Sequence, residues 1–266
     1  MIIRHDIDPA RYLANPAEFG AIAPICGHTE EIPVAYDQID EMLRPSLLPS
    51  IQPEPEIIFA CDGMGTLIHP RWILSAAHVA ANLSTDDSVT FANTAYPIQQ
   101  IILHPHWQDN EMDMNQVKND IALVQLAAPV NNISPLSLYK PTDGQTTDEL
   151  EQTATFIGQG DYGTGLTGPD AVDGKLRKAT NQIEKVDGQW LLFKFDAPPE
   201  GTELEGISGP GDSGGPALLK TKKGWAIAGI SSGQDSSTFG EGYYGVWEYY
   251  TRVSQYLDWI ESVIAS

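Results

Sequence analysis

The stretch Gly209-Pro-Gly-Asp-Ser-Gly-Gly-Pro216 (GPGDSGGP) sets one hydroxyl and one carboxyl among six glycines and prolines. No helix or strand interior favours such a run, because glycine is costly to order and proline removes a backbone donor. It reads as a tight turn that presents Ser213. A serine hydroxyl is a weak nucleophile by itself, so the next question is which base serves it.

The run fits the pattern Gly-x-Ser-x-Gly of a strand–turn–helix nucleophile elbow, in which the catalytic histidine follows the serine. The six histidines are His5, His28, His69, His78, His104 and His106, and none follows Ser213. The elbow reading therefore has no base and is excluded. A base must precede the serine. His78 lies in SAAHVA, after a run of small residues and a β-like RWIL, where an imidazole has room at a cleft edge. His104 and His106, in LHPHW, fall in a proline-broken turn and are expected at the surface. Asp120 opens the alternating strand of KNDIALVQL. A half-buried carboxylate there needs a partner, and an imidazole N–H is one. A simple turn residue at the strand start is the plainer alternative.

The rest of the chain agrees with a folded, largely β protein. Its 266 residues are 41% hydrophobic and 19% charged, which excludes general disorder. Short apolar runs such as IQQIILHP, TATFIGQG, QWLLFKF and WAIAGISS alternate with Pro and Gly. That spacing predicts sandwich or barrel sheets. In TRVSQYLDWIESVIAS the apolar residues follow helical spacing, which predicts a terminal amphipathic helix. The polar segment 131–150 reads as a linker between two halves. Residues 27–60 are acidic and proline-rich and read as an inserted loop. Cys26 and Cys61 bracket it. A disulfide there would stabilise the fold by roughly 3–4 kcal/mol on the chain-entropy model, given an oxidising compartment. Two buried thiols are the other reading.

The net charge of −21 argues against nucleic acid or an anionic membrane as partner. No apolar run is long enough to cross a bilayer, and the N-terminal residues lack a signal-peptide core. The expectation is a secreted or periplasmic protein whose signal is missing from this sequence, with a cytoplasmic one still open.

Taken together, GTLIHPRWILSAAHVA, NDIALVQL and GDSGGPALL resemble the histidine, aspartate and serine segments of the chymotrypsin/trypsin-like serine proteases. FIGQG at 156–160 and YTRVSQYLDWI at 250–260 match in position and character, and the resemblance runs from about residue 63 to the C-terminus. It implies an all-β fold of two packed six-stranded antiparallel β-barrels with a C-terminal α-helix. The expected division is an N-terminal segment 1–26, the insert 27–60, a first barrel 61–135, a second barrel 136–250 and the helix 251–266. The resemblance implies a serine endopeptidase in which His78, Asp120 and Ser213 form the triad. The backbone N–H groups of Gly211 and Ser213 would form the oxyanion hole. No cofactor or metal is implied, since no stretch offers a recognisable calcium-ligand spacing. The partner would be a protein or peptide substrate, and the protein a monomer. A latent or inactive protein of the same fold, using its cleft for binding, is the alternative.

By the same resemblance Ile207, six residues before the serine, lines the base of the specificity pocket. Ser231, Ser232 and Gly233 would run along the substrate backbone, and Glu248 would fall near the third wall. Two departures stand out. The cysteines that usually brace the histidine loop are replaced by Gly63 and Val79. No typical activation cleavage site precedes residue 63. Asp212 is the acid that would receive a freed N-terminal amine, and the expectation is that Ile2 supplies it once Met1 is lost.

Overall fold

The computed structural model describes residues 1–26, 61–110, 113–141 and 148–266. The expected insert at 27–60 lies outside the described residues. The protein is mostly β, with two barrel-like antiparallel sheets and a short C-terminal helix, as the sequence led us to expect.

In the first sheet, Gly63–His69 pairs with Trp72–Ser75, which pairs with Ala122–Leu126, then Thr94–Leu103 and finally Ser88–Phe91. Trp72–Ser75 is buried along its whole length; Trp72, Ile73 and Leu74 are apolar, and the Ser75 hydroxyl donates to the Met64 carbonyl at 2.8 Å. Ile22–Ile25, from the expected N-terminal segment, is the sixth strand, antiparallel to Gly63–His69. The 1–26 segment is thus no separate appendage. Its Ile22, Ala23 and Ile25 are buried in the same core as Ile73, Leu74 and Val124.

In the second sheet, six strands close on themselves. Pro216–Thr221 pairs with Thr153–Gly158 on one side and with Gly224–Asp235 on the other. Arg177–Asp187, Trp190–Lys194 and Trp247–Arg252 complete the ring. Arg177–Asp187 alternates buried residues with half-buried or exposed ones along its first half, as a strand with one face inward should. Phe156 stacks on Tyr250 at 4.7 Å between ring centres, and Phe193 meets both rings edge-on. These rings fill the barrel.

Ile2–Ile3 forms a further small sheet, parallel to Tyr162–Thr164 and antiparallel to Gly206–Ile207. The chain's first residues are therefore built into the second half. The expected linker is also bound to both halves. Leu136 N–H donates to the Leu67 carbonyl and Tyr139 N–H to that of Ile227. Farther along, the buried Glu149 is held by the guanidinium of Arg252 at 2.8 and 2.9 Å. The terminal helix spans Leu257–Ile264 rather than starting at 251. Thr251 and Arg252 belong to the preceding strand because their side chains are tied to the Asp120 carbonyl and to Glu149. Ile260, fully buried, anchors the helix. Cys26 and Cys61 are joined by a disulfide.

Candidate active site

His78 sits in the single-turn helix Ala77–Ala80, directly after the buried strand Trp72–Ser75. Small buried residues on either side leave its ring half-exposed, at 28%. Asp120 is 1% exposed and precedes the strand Ala122–Leu126, which pairs with Trp72–Ser75. That register brings the two residues together. Asp120 Oδ2 lies 2.7 Å from His78 Nδ1, and Oδ1 accepts the His78 backbone N–H at 2.9 Å. A third donor is the Ser232 hydroxyl, 2.6 Å from Oδ2. Burial alone would push the Asp120 carboxyl up. The hydrogen bonds and charge of His78 and the bond from Ser232 outweigh it and hold the group below its ordinary value. Nδ1 of the ring is thus committed to Asp120.

Ser213 lies on a turn stitched by backbone bonds from Asp212 N–H to the Gly209 carbonyl and from Gly215 N–H to the Asp212 carbonyl, both 2.9 Å. Gly211 has φ +81°, which a side chain would strain, so glycine is required where the backbone swings toward the cleft. The turn is pressed onto the histidine's own support. Met64 N–H donates to the Ser213 carbonyl at 2.7 Å. A Cβ on Gly63 would sit 2.3 Å from that carbonyl oxygen and 2.7 Å from Val79 Cγ2. Gly63 is therefore squeezed between the serine turn and the neighbour of His78. The buried Val79 fills the space where a bridge is usual in the resembled proteins, so packing holds this loop. Beside the turn lies a cavity of about 320 Å³, lined in part by Pro24, Cys61, Met64, Pro210 and Gly211.

Asp212 is 2% exposed, and its two oxygens accept from Gly160 N–H at 2.7 Å and Gly209 N–H at 2.9 Å. Its ionic partner is the ammonium of Met1, 2.5 Å from Oδ2, which also donates to the Asp161 carbonyl. The expectation of Ile2 concerned a chain that has lost Met1; with Met1 present, Ile2 faces Gly163 and Ile207 in the strand register, and Met1, one residue earlier, reaches Asp212.

The specificity candidates land differently from one another. Ile207 is completely enclosed and packs with Ile2, Phe195 and Val246. Glu248 is also fully buried, and its carboxyl accepts the Ser208 N–H at 3.0 Å and the Ser208 hydroxyl. Burial pushes it up to about 8. Ser231 is fixed by backbone bonds to Gly214 and Gly215, and its hydroxyl reaches that of Ser208. Gly233 lies against the Met114 thioether. The sequence reading placed Ser232 along the substrate backbone and missed its bond to Asp120, which lies 112 residues away with no local signal. It likewise missed Thr251, whose hydroxyl holds the Asp120 carbonyl at 2.8 Å. His104 is not simply at the surface. It meets the rings of Tyr256 and Trp259, and burial lowers its pKa.

Residues 59–260 match the trypsin family model. Among curated proteins the chain is similar to two from Anopheles gambiae. One is CLIP domain-containing serine protease B10, 29% identical over 86% of this chain and 68% of that protein. The other is CLIP domain-containing serine protease B15, 24% identical over 75% of this chain and 60% of that protein.

Proposed function

The chain belongs to the trypsin family, and from that premise we propose that it is a serine endopeptidase working through His78, Asp120 and Ser213. The observation that carries the reading is the buried Asp120 carboxylate gripping both the ring and the backbone of His78. Such a grip fixes one tautomer, with the proton on Nδ1, and leaves Nε2 to act as base. Nε2 takes the Ser213 proton as the oxygen attacks the carbonyl carbon of a peptide bond. The imidazolium then gives that proton to the departing amine, and water repeats the sequence on the acyl-enzyme. The Gly211 and Ser213 N–H groups stabilise the oxyanion of each tetrahedral intermediate, and loss of one such donor typically costs about 3–4 kcal/mol. Asp212, neutralised by the Met1 ammonium, keeps that turn in place.

Glu248 would shape the substrate preference. Its carboxyl is enclosed beside Ser208 and Ser231, next to the expected substrate strand. A basic side chain reaching this site would gain a charge partner, while an apolar one would leave the carboxyl protonated. The Cys26–Cys61 bridge supports an oxidising compartment such as the cell exterior.

A fluorophosphonate probe tests the reading. Wild-type protein should be labelled at Ser213, and Ser213→Ala and His78→Ala should each abolish labelling. Folded wild-type protein that takes no label would leave the latent, cleft-binding alternative.

A further inference from the structure

Asp120 belongs to the first barrel, yet the turn that carries it is held from the second. Gln189 stands at the hairpin between Arg177–Asp187 and Trp190–Lys194, and its side-chain amide reaches across to this turn. Nε2 donates to the Val117 carbonyl at 2.9 Å, and Oε1 accepts the Asn119 N–H at 2.7 Å. These two partners fix the orientation of the amide, because exchanging O and N would set donor against donor and acceptor against acceptor. The Tyr256 hydroxyl is shared between Gln189 Oε1 at 3.2 Å and Asn119 Oδ1 at 3.1 Å. Gln189 is itself tethered, since its carbonyl accepts the Arg252 N–H at 2.7 Å.

Asn119 sits at φ +53°, in the left-handed region that asparagine enters more readily than most side-chain-bearing residues, and the bonds from Gln189 and Tyr256 hold it there. It immediately precedes Asp120, so a shift in Asn119 re-aims the carboxylate that meets His78.

We propose that Gln189 is a positioning residue for the Asp120–His78 pair: by bonding Val117 and Asn119 it sets the direction from which the carboxylate meets the imidazole. The proposal rests on the endopeptidase reading. It makes the second barrel responsible for the histidine–aspartate geometry as well as for the serine.

Gln189→Met keeps the bulk and removes both bonds, and Gln189→Ala serves as a second variant should the first fold poorly. Four quantities are read on folded protein: kcat and KM for a peptide substrate, the proton resonance of His78 Nδ1, and the unfolding temperature. The expected result is a kcat lower by about tenfold with KM within about twofold, because small misalignments of reacting groups are expensive. The Nδ1 proton resonance should move or broaden. An unchanged kcat and resonance would overturn the proposal. So would a kcat loss that follows the unfolding temperature while the resonance stays in place. Wild-type protein that neither turns over peptides nor takes a fluorophosphonate would overturn the endopeptidase reading instead.

Discussion

Glu248 shows how far one side chain can be displaced by its surroundings. Its ordinary value of 4.5 rises to about 8, with burial the largest cause. The Ser208 bonds and the Met1 ammonium pull the other way, and Asp212 adds to the rise. Below 4.5 the carboxyl is neutral in the folded and unfolded chains alike. Between there and about 8 only the folded chain keeps the proton, so stability falls as pH rises through this window. Glu248→Gln removes the titration. The variant should gain on wild type in urea midpoint between about pH 5 and about pH 8. Parallel pH profiles for the two proteins would show that Glu248 does not titrate in this range. Asp120 is the opposite case. It is equally removed from water, yet His78 and Ser232 keep it ionised.

At the scale of elements, the serine turn and the histidine helix share one contact point, Gly63. It opens the strand Gly63–His69, and both neighbours approach to where a Cβ would stand. Gly63→Ala would force the Ser213 carbonyl and Val79 apart. The backbone carbonyl cannot swing aside as a flexible side chain would. Overpacking of this kind costs about 1–3 kcal/mol. The expected outcome is a lower unfolding temperature together with a fall in kcat, since the displaced atoms belong to Ser213, the proposed nucleophile. Calorimetry and turnover measured on one preparation check both. Wild-type stability and kcat in the variant would mean that the strand relaxes without moving the turn. The disulfide acts nearby but differently. It ties Cys61 to Cys26 across a separation of 35 residues and so fixes the entry to the same strand.

Across the whole molecule, the Met1 ammonium and the Ser213 turn meet at Asp212. The Met1 ammonium and Asp212 are both almost free of solvent, at 1% and 2% exposure. Removing one partner of a buried pair typically costs about 3–5 kcal/mol, because the other charge is left unpaired. Acetylating the Met1 amine, or extending the chain ahead of it, should therefore lower kcat by about a hundredfold or more. Comparing fluorophosphonate labelling rates of free and blocked chains measures this. Equal rates would mean that Asp212 finds another donor.

The candidate residues His78, Asp120 and Ser213 were legible before any coordinates because each lies in a local pattern with its own cause. Ser213 needs glycines for its turn, His78 needs small neighbours, and Asp120 precedes a short apolar strand. The β-rich architecture was legible for a similar reason, since apolar runs between Pro and Gly punctuation reflect strand periodicity, while the division into two barrels came from the resemblance. What escaped were contacts between residues far apart in the chain. The Ser232 bond to Asp120, the Gln189 clamp on Asn119 and the burial of Ile22–Ile25 in the first core leave no local trace.

The amino-acid sequence alone determined the family resemblance, the chain order of His78, Asp120 and Ser213 and the period of the strands, all of which are read from local sequence. Only the tertiary structure decided that the Met1 ammonium meets Asp212, that Glu248 is enclosed beside Ser208, and that the second barrel holds the turn of Asp120. These depend on strand register and on packing between barrels. A shift of one residue there moves a charge by a full backbone step, and no local pattern encodes it.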